Sequence, residues 1–144
     1  MAKDYYAEIY LHLTWHTLND EPFINTEVEA KLHDFIKGKC AELDVHPIGI
    51  GGTTDHVHLL VTVPPTVLVS ELVGRIKGSS THYVNQRLRP RPRFGWQKGY
   101  GCVSFAKRNL APLRRYVRDQ KEHHAKGTMR EALERYVPRR SDRA

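Results

Sequence analysis

A mixed α+β domain built around an antiparallel sheet is the fold that the sequence predicts, and three observations carry it. Period-two alternation from Tyr6 to Trp15, and again from His56 to Val63, reads as strand. Apolar stripes at helical spacing occupy the longer segments between strands. The length of 144 residues, with 40% hydrophobic and 27% charged side chains, suits one domain without repeats or an interdomain linker. We place that domain over residues 1–144, with its core at about 5–125 and a short helical tail at 126–144.

Each element follows from a local pattern. In the first strand Ala7, Ile9, Leu11, Leu13 and Trp15 form one face, and Tyr6, Glu8, Tyr10, His12 and Thr14 form the other. Thr26-Glu27-Val28-Glu29 fits a capping box, in which hydroxyl and carboxylate satisfy free amides at a helix start. Val28, Leu32, Phe35, Ile36 and Leu43 then give a helical stripe over about 26–43. Val45 to Ile50 is a short strand that Gly51-Gly52 closes in a turn. From His56 to Val63, the apolar Val57, Leu59, Val61 and Val63 face the core, while His56, His58, Leu60 and Thr62 face away. Pro64-Pro65 ends the strand, because proline has no amide to donate to a ladder. A helix from about Thr66 to Leu88 carries Leu72, Val73, Ile76, Tyr83 and Val84. Gly74 and Gly78 inside it each cost about 1 kcal/mol relative to alanine, which close approach of a neighbour would offset. A proline-broken basic loop from Arg87 to Lys98 leads to a fourth strand, Tyr100 to Phe105. Asn109 caps a last long helix reaching about His124, with Leu110, Leu113 and Val117 on its buried face. Thr128-Met129-Arg130-Glu131 is a second capping box, opening a short helix with Leu133, Tyr136 and Val137. The resulting order, β-α-β-β-α-β, is the split βαβ pattern of a ferredoxin-like sheet. With helices on one face of that sheet, the histidine face of the third strand lies on the free side.

Composition removes several function classes. No stretch approaches the ~18 apolar residues of a membrane span, and Met1–Lys3 opens no basic-then-apolar signal segment. A soluble, cytoplasmic protein without a membrane partner is expected. Cys40 and Cys102 form no C-x-x-C pair, which removes zinc-ribbon and redox motifs and leaves both as buried small apolar residues. Charge is segregated along the chain: residues 1–73 carry a net −7, residues 74–126 a net +12 and the remainder +2. One sign concentrated on part of a fold attracts a polyanion, and nucleic acid is the first candidate.

Two short constellations carry chemistry. His56 and His58 stand two apart on one strand, so their imidazoles project side by side and are able to share a cation. On the last long helix, Tyr116 and Gln120 lie at i and i+4, beside the Leu113 and Val117 stripe. An amide oxygen from Gln120 would complete two His and one Gln around the cation, with Tyr116 a few ångströms away. The plainer alternative makes the histidines surface residues, Tyr116 a packing residue and Gln120 a solvent-facing one. His123 and His124 read as solvated helix residues in preference to residues lining the site.

With His56-Val57-His58 followed by Tyr116 and Gln120, the chain resembles the single-tyrosine HUH-endonuclease transposases of small prokaryotic insertion sequences. Tyr10–Thr17, Ile76-Lys77-Gly78-Ser79-Ser80 and Trp96-Gln97-Lys98-Gly99-Tyr100 match as well, so the resemblance spans roughly residues 5–125. It implies that Tyr116 is the nucleophile, that His56, His58 and Gln120 hold Mg2+ or Mn2+, and that single-stranded DNA is cut beside a subterminal hairpin. It also implies a homodimer, in which two-fold symmetry would let each site take its histidines from one subunit and Tyr116 from the other. The chemistry is coherent: attack by tyrosine stores the broken bond as a 5′-phosphotyrosine with a free 3′-hydroxyl, so rejoining requires no ATP. Arg114, Arg115 and Arg118 with the cation would favour the phenolate. Imidazole ligands suit a borderline metal better than magnesium, which stands in tension with the family's usage. Arg75, Lys77, Arg87, Arg89, Arg91, Arg93 and Lys98, with Phe94 and Trp96 interleaved, suit phosphate contacts and base stacking. Other classes stay open. One is a non-catalytic, RRM-like domain that stacks single-stranded nucleic acid on a free sheet face, or a domesticated nuclease of the same kind. Another is a two-histidine phosphoesterase, prompted by His12-Leu13-Thr14, although His58 stands where its second motif needs Thr or Ser.

Overall fold

Four strands, β1 (Tyr10–His16), β2 (His46–Gly52), β3 (His56–Thr62) and β4 (Gly101–Phe105), pair antiparallel in the order β2-β3-β1-β4. They belong to a computed structural model that describes residues 4–138. Helices α1 (Thr26–Glu42) and α2 (Val69–Tyr83) cover one face of the sheet. There, Leu11, Leu13 and Trp15 from β1 and Val57, Leu59 and Val61 from β3 meet Leu32, Ile36 and Ile76 in the main apolar core. The α+β class and the β-α-β-β-α-β order are those expected. The other face is not left open: α3 (Leu110–Arg118), α4 (Gln120–Lys126) and α5 (Glu131–Glu134) lie on it, with Leu60, Leu113, Tyr116, Val117 and Leu133 as a second, smaller apolar cluster.

Several boundaries differ from expectation, each for a local reason. The β1 ladder starts at Tyr10 rather than Tyr6, because Thr62 and Phe105, the last paired residues of both neighbours, stand opposite Tyr10. Asn25, not Thr26, caps α1: its side-chain oxygen accepts from the Val28 amide at 2.9 Å, which leaves Thr26 inside the first turn. Gly51 and Gly52 do not form the turn but continue β2, paired with His58 and Val57. Gly74 and Gly78 of α2 face open space, so no neighbour offsets their cost. The helix meant to run from Asn109 to His124 is broken at Asp119 (φ −97°, ψ 27°), which separates α3 from α4. Neither Asn109 nor the Thr128 box makes the expected side-chain cap; Thr128 bonds His123 instead, at 2.8 Å. Cys40 is buried as expected, but Cys102 is exposed on the edge strand β4. Of the tail assigned to 126–144, residues 139–144 lie outside the described residues, as do Met1–Lys3. Among the described residues, no helix is long and apolar enough to cross a membrane.

Two glycines seat the C-terminal elements on the sheet. A Cβ on Gly51 of β2 would stand 1.9 Å from the Val117 carbonyl oxygen, so the backbone of α3 lies directly on the strand. A Cβ on Gly101 of β4 would meet the Arg135 carbonyl oxygen at the same 1.9 Å. Both contacts need a residue without a side chain.

Candidate active site and metal centre

The antiparallel register of β1 and β3 places Thr14 opposite His58 and His16 opposite His56. Residues two apart share a face, so His12 also reaches this side of the sheet. His56 directs Nδ1 at the Asp55 carboxylate (2.7 Å) and the Thr53 hydroxyl (2.9 Å). Its Nε2 points to the space under α4 and α5, 3.4 Å from Gln120 Oε1 and 3.4 Å from Glu134 Oε1. His58 turns Nδ1 to His12 Nε2 at 2.7 Å and Nε2 to Glu134 Oε1 at 3.1 Å. His124 completes the group, with Nε2 3.1 Å from Gln120 Oε1 and 3.0 Å from Glu134 Oε1. Three imidazole nitrogens from three different positions thus converge on one carboxylate oxygen.

Tyr116, buried on α3, closes one side. Its hydroxyl donates to the second Glu134 oxygen and accepts from the Arg130 amide at 2.9 Å. The Arg130 guanidinium sits 5.2 Å from the ring centroid, and the His58 ring 6.1 Å. Gln120 is fully buried and anchors its amide nitrogen on the Tyr116 carbonyl at 3.2 Å.

The electrostatics follow from this enclosure. Burial works against a charged His56, but the Asp55 and Glu134 carboxylates outweigh it and push its pKa up to about 9. Burial wins at His58, which is lowered despite Glu134. Burial, with His58 adding to it, drives His12 down to about 3, so this imidazole is neutral. Glu134 lies well below the usual carboxylate range: burial opposes its charge, but bonds to His56, His58 and Tyr116 prevail. The Tyr116 phenol is pushed above its ordinary value of 10.0 by burial and by its bond to Glu134. Without a cation, the neutral phenol is therefore the favoured form. Arg114, Arg115 and Arg118 lie exposed on α3, and Arg118 pairs with Asp119 at 2.9 Å.

The donor set fits a divalent cation. Ligand atoms of His56, His58, His124 and Glu134 lie within 4.8 Å of one another, and Gln120 Oε1 borders the same space. A histidine whose Nδ1 is held by a carboxylate, as His56 is by Asp55, presents Nε2 as a ligand. Several imidazoles with a carboxylate match a borderline metal better than a purely oxygen-ligated one.

The structure brings His56, His58, Tyr116 and Gln120 into one centre. His124 belongs there too, although it reads as solvated from sequence; its i+4 spacing from Gln120 was the available signal. Glu134 had no such signal. His12 and Thr14 are turned inward: Thr14 donates to the Val57 carbonyl at 2.7 Å, and His12 is taken up by His58. The phosphoesterase reading therefore has no open first motif.

The basic segment divides in two. Arg75, Arg87, Arg89, Arg91, Arg93 and Lys98 are exposed. Lys77, by contrast, is half-buried and donates to the Gln97 (2.7 Å) and Gly99 (3.0 Å) carbonyls. The Trp96 indole donates to Ser80 at 2.8 Å, and its ring meets Trp15 and the buried Phe94 edge-on. Asn85 holds both the amide and the carbonyl of Phe94 at 2.9 Å. Lys77, Phe94 and Trp96 thus fasten the loop to α2, and Phe94 offers no face for a base.

Known proteins share this chain's pattern. The family described as "Transposase IS200 like" matches residues 5–120. The transposase for insertion sequence element IS200 of Salmonella typhimurium is 31% identical over 78 residues, 51% of this chain and 51% of that protein. The chain thus spans about half the length of that relative. The ISDra2 transposase TnpA of Deinococcus radiodurans is 23% identical over 124 residues, 83% of this chain and 89% of that protein. A solved structure from Deinococcus radiodurans, described as a candidate transposase, shares the fold with a TM-score of 0.67 at 20% identity, covering 81% of this chain and 94% of that one. A REP-associated tyrosine transposase bound to a REP hairpin gives 0.62 at 15% identity, over 90% of this chain and 75% of that one.

Proposed function

The chain belongs to the IS200-like transposase family, and from that premise we propose that it cuts and rejoins single-stranded DNA through a tyrosine–DNA intermediate. Tyr116 is the nucleophile, and His56, His58 and Gln120 hold Mg2+ or Mn2+, with His124 and Glu134 as further donors. One observation carries the reading: the Tyr116 hydroxyl and the inward nitrogens of His56 and His58 meet on the two oxygens of a single carboxylate, Glu134. When bound, the cation would polarise a non-bridging phosphate oxygen and offset the charge that builds on it. The chain's own residues do the remainder. Asp55 and Thr53 orient His56; Glu134 and the Arg130 amide fix the position of the phenol oxygen. Glu134 is a weak base, since its own pKa lies so low, and it positions the phenol more than it ionises it. As the phenol oxygen attacks phosphorus its proton passes to water, the bond to the 3′-oxygen breaks, and that oxygen takes a proton from water and leaves as a hydroxyl. The reverse attack by another 3′-hydroxyl rejoins the strand.

The substrate we propose is single-stranded DNA beside a hairpin. The hairpin-bound relative and the exposed Arg75, Arg87, Arg89, Arg91, Arg93 and Lys98 support it. The functional unit we propose is one domain spanning the chain, working as a homodimer. The site is either complete within each subunit, with α3 seated on Gly51 of its own β2, or shared with a two-fold partner whose α3 takes the same seat. Mixing Tyr116→Phe with His58→Ala protein separates the two: recovered cleavage after subunit exchange means sharing. The RRM-like alternative needs an open sheet face, and α3, α4 and α5 cover that face here. Incubation of the protein with a hairpin-bearing single strand and Mg2+ or Mn2+ tests the proposal. A covalent adduct that survives denaturing gels, and is lost in a folded Tyr116→Phe variant, is expected. An adduct that persists in Tyr116→Phe overturns the assignment.

A further inference from the structure

One buried histidine has no part in the chemistry above. His12 is 1% exposed on β1, and its Nε2 lies 2.7 Å from His58 Nδ1, with ring centroids 4.9 Å apart and planes tilted by 38°. We propose that His12 is a positioning residue: it accepts the Nδ1 proton of His58, so that His58 holds one tautomer and one ring plane and presents its Nε2 lone pair to the cation. This inference rests on the cation-binding reading of His56 and His58.

The argument is one of proton counting. Two neutral imidazoles joined by one N–H···N bond share a single proton between the facing nitrogens. If His58 is to offer Nε2 as a ligand, its proton must sit on Nδ1, and the group facing Nδ1 must be an acceptor. His12 Nε2 is the group that stands there. His56 solves the same problem by another means, with the Asp55 carboxylate at 2.7 Å from Nδ1. The two metal-facing histidines therefore each have a backing partner, one anionic and one neutral.

A purely structural role explains His12 poorly. Its other nitrogen, Nδ1, is buried without a hydrogen-bond partner. A polar atom buried and unpaired costs stability, and a leucine or phenylalanine would fill the same strand position without that cost. The strand register leaves His12 no other direction: it stands opposite Leu60 and diagonal to His58, on the side covered by the C-terminal helices. What the position gains from an imidazole is the bond to His58.

The test uses the full chain without DNA and measures Mn2+ binding by electron paramagnetic resonance of the free ion. Wild type, His58→Ala, His12→Phe and His12→Gln are compared, with thermal unfolding as a check on folding. His12→Phe is expected to weaken Mn2+ binding about 10- to 100-fold, the usual consequence of losing the group behind a metal-ligating histidine. His12→Gln, whose amide oxygen is able to accept the same proton, is expected to recover most of that loss. Equal affinity in wild type and folded His12→Phe overturns the proposal, as does equal loss in His12→Phe and His12→Gln. If His58→Ala binds Mn2+ as wild type does, the cation-binding reading itself fails, and that result is distinct from the others. Should His12→Phe not fold, 15N spectra of the Mg2+-loaded wild type decide. A proton on His58 Nδ1 with scalar coupling across to His12 Nε2 is expected, and its absence refutes the proposal.

Discussion

The two faces of the sheet are built from alternate residues of the same strands, yet they are buried for different ends. Toward α1 and α2, Val57, Leu59 and Val61 of β3 join a continuous apolar core. Toward α3, α4 and α5, the neighbouring His56 and His58 are just as inaccessible, alongside His12, Thr14 and Gln120. Apolar burial on the first face is the main source of stability. Polar burial on the second is tolerable only because nearly every group finds a partner, through Asp55, Thr53, Glu134 and the Val57 carbonyl. A fold that sets such a centre beside its smaller apolar cluster gives up stability for chemistry.

Substitution of adjacent residues on β3 breaks that comparison most sharply. Leu59→Ala, fully buried in the apolar core, is expected to cost 2–5 kcal/mol in about the range seen for core leucines, read by denaturant unfolding, while Mn2+ affinity of the folded fraction stays near wild type. His58→Ala should abolish cation binding and cleavage with a smaller stability loss. If the two variants behave alike in both measurements, the division between the faces is wrong.

Proton competition sharpens it next. A cation binding through His56 must displace the proton that Asp55 and Glu134 hold there up to about pH 9. Apparent Mn2+ affinity should therefore rise about tenfold per pH unit from neutral pH and level off near pH 9. A titration that is flat between pH 7 and pH 9 contradicts this. In the metal-free protein, the same raised pKa adds stability that is fully present below 6.5 and is lost as pH rises through about 9.

The glycines supply the smallest effect and the cleanest control. Gly51→Ala forces a Cβ against the Val117 carbonyl on the chemical face and should cost about 1–3 kcal/mol, with loss of cleavage as α3 shifts. Gly74→Ala, on the exposed side of α2, meets nothing and should stabilise by about 0.5–1 kcal/mol with cleavage unchanged. Melting curves and adduct assays on the two variants check both. Equal effects would mean that the seating of α3 on β2 does not matter to the site.

Sequence periodicity by itself determined the order of elements, the apolar face of each and the pairing of His56 with His58 on one strand side. It also brought Tyr116 and Gln120 to one helical face, because i and i+4 remain neighbours even across the break at Asp119. These are local relations, set by the repeat of a strand or a helix. Only the tertiary structure decided what covers the histidine face. A polar residue facing water and a polar residue facing another polar residue leave the same alternation in the sequence, so burial of His58, Gln120 and His12 was not legible there. Glu134 reaches the centre because the chain reverses at Gly127 (φ 68°) and its four-residue helix returns to the sheet, where Gly101 receives the Arg135 backbone. Lys77 and Trp96 carry the composition of a nucleic-acid contact, yet the loop carbonyls and Ser80 claim their donors. Contacts between segments far apart in the chain depend on how elements pack, and no local pattern encodes which distant polar atom will be met.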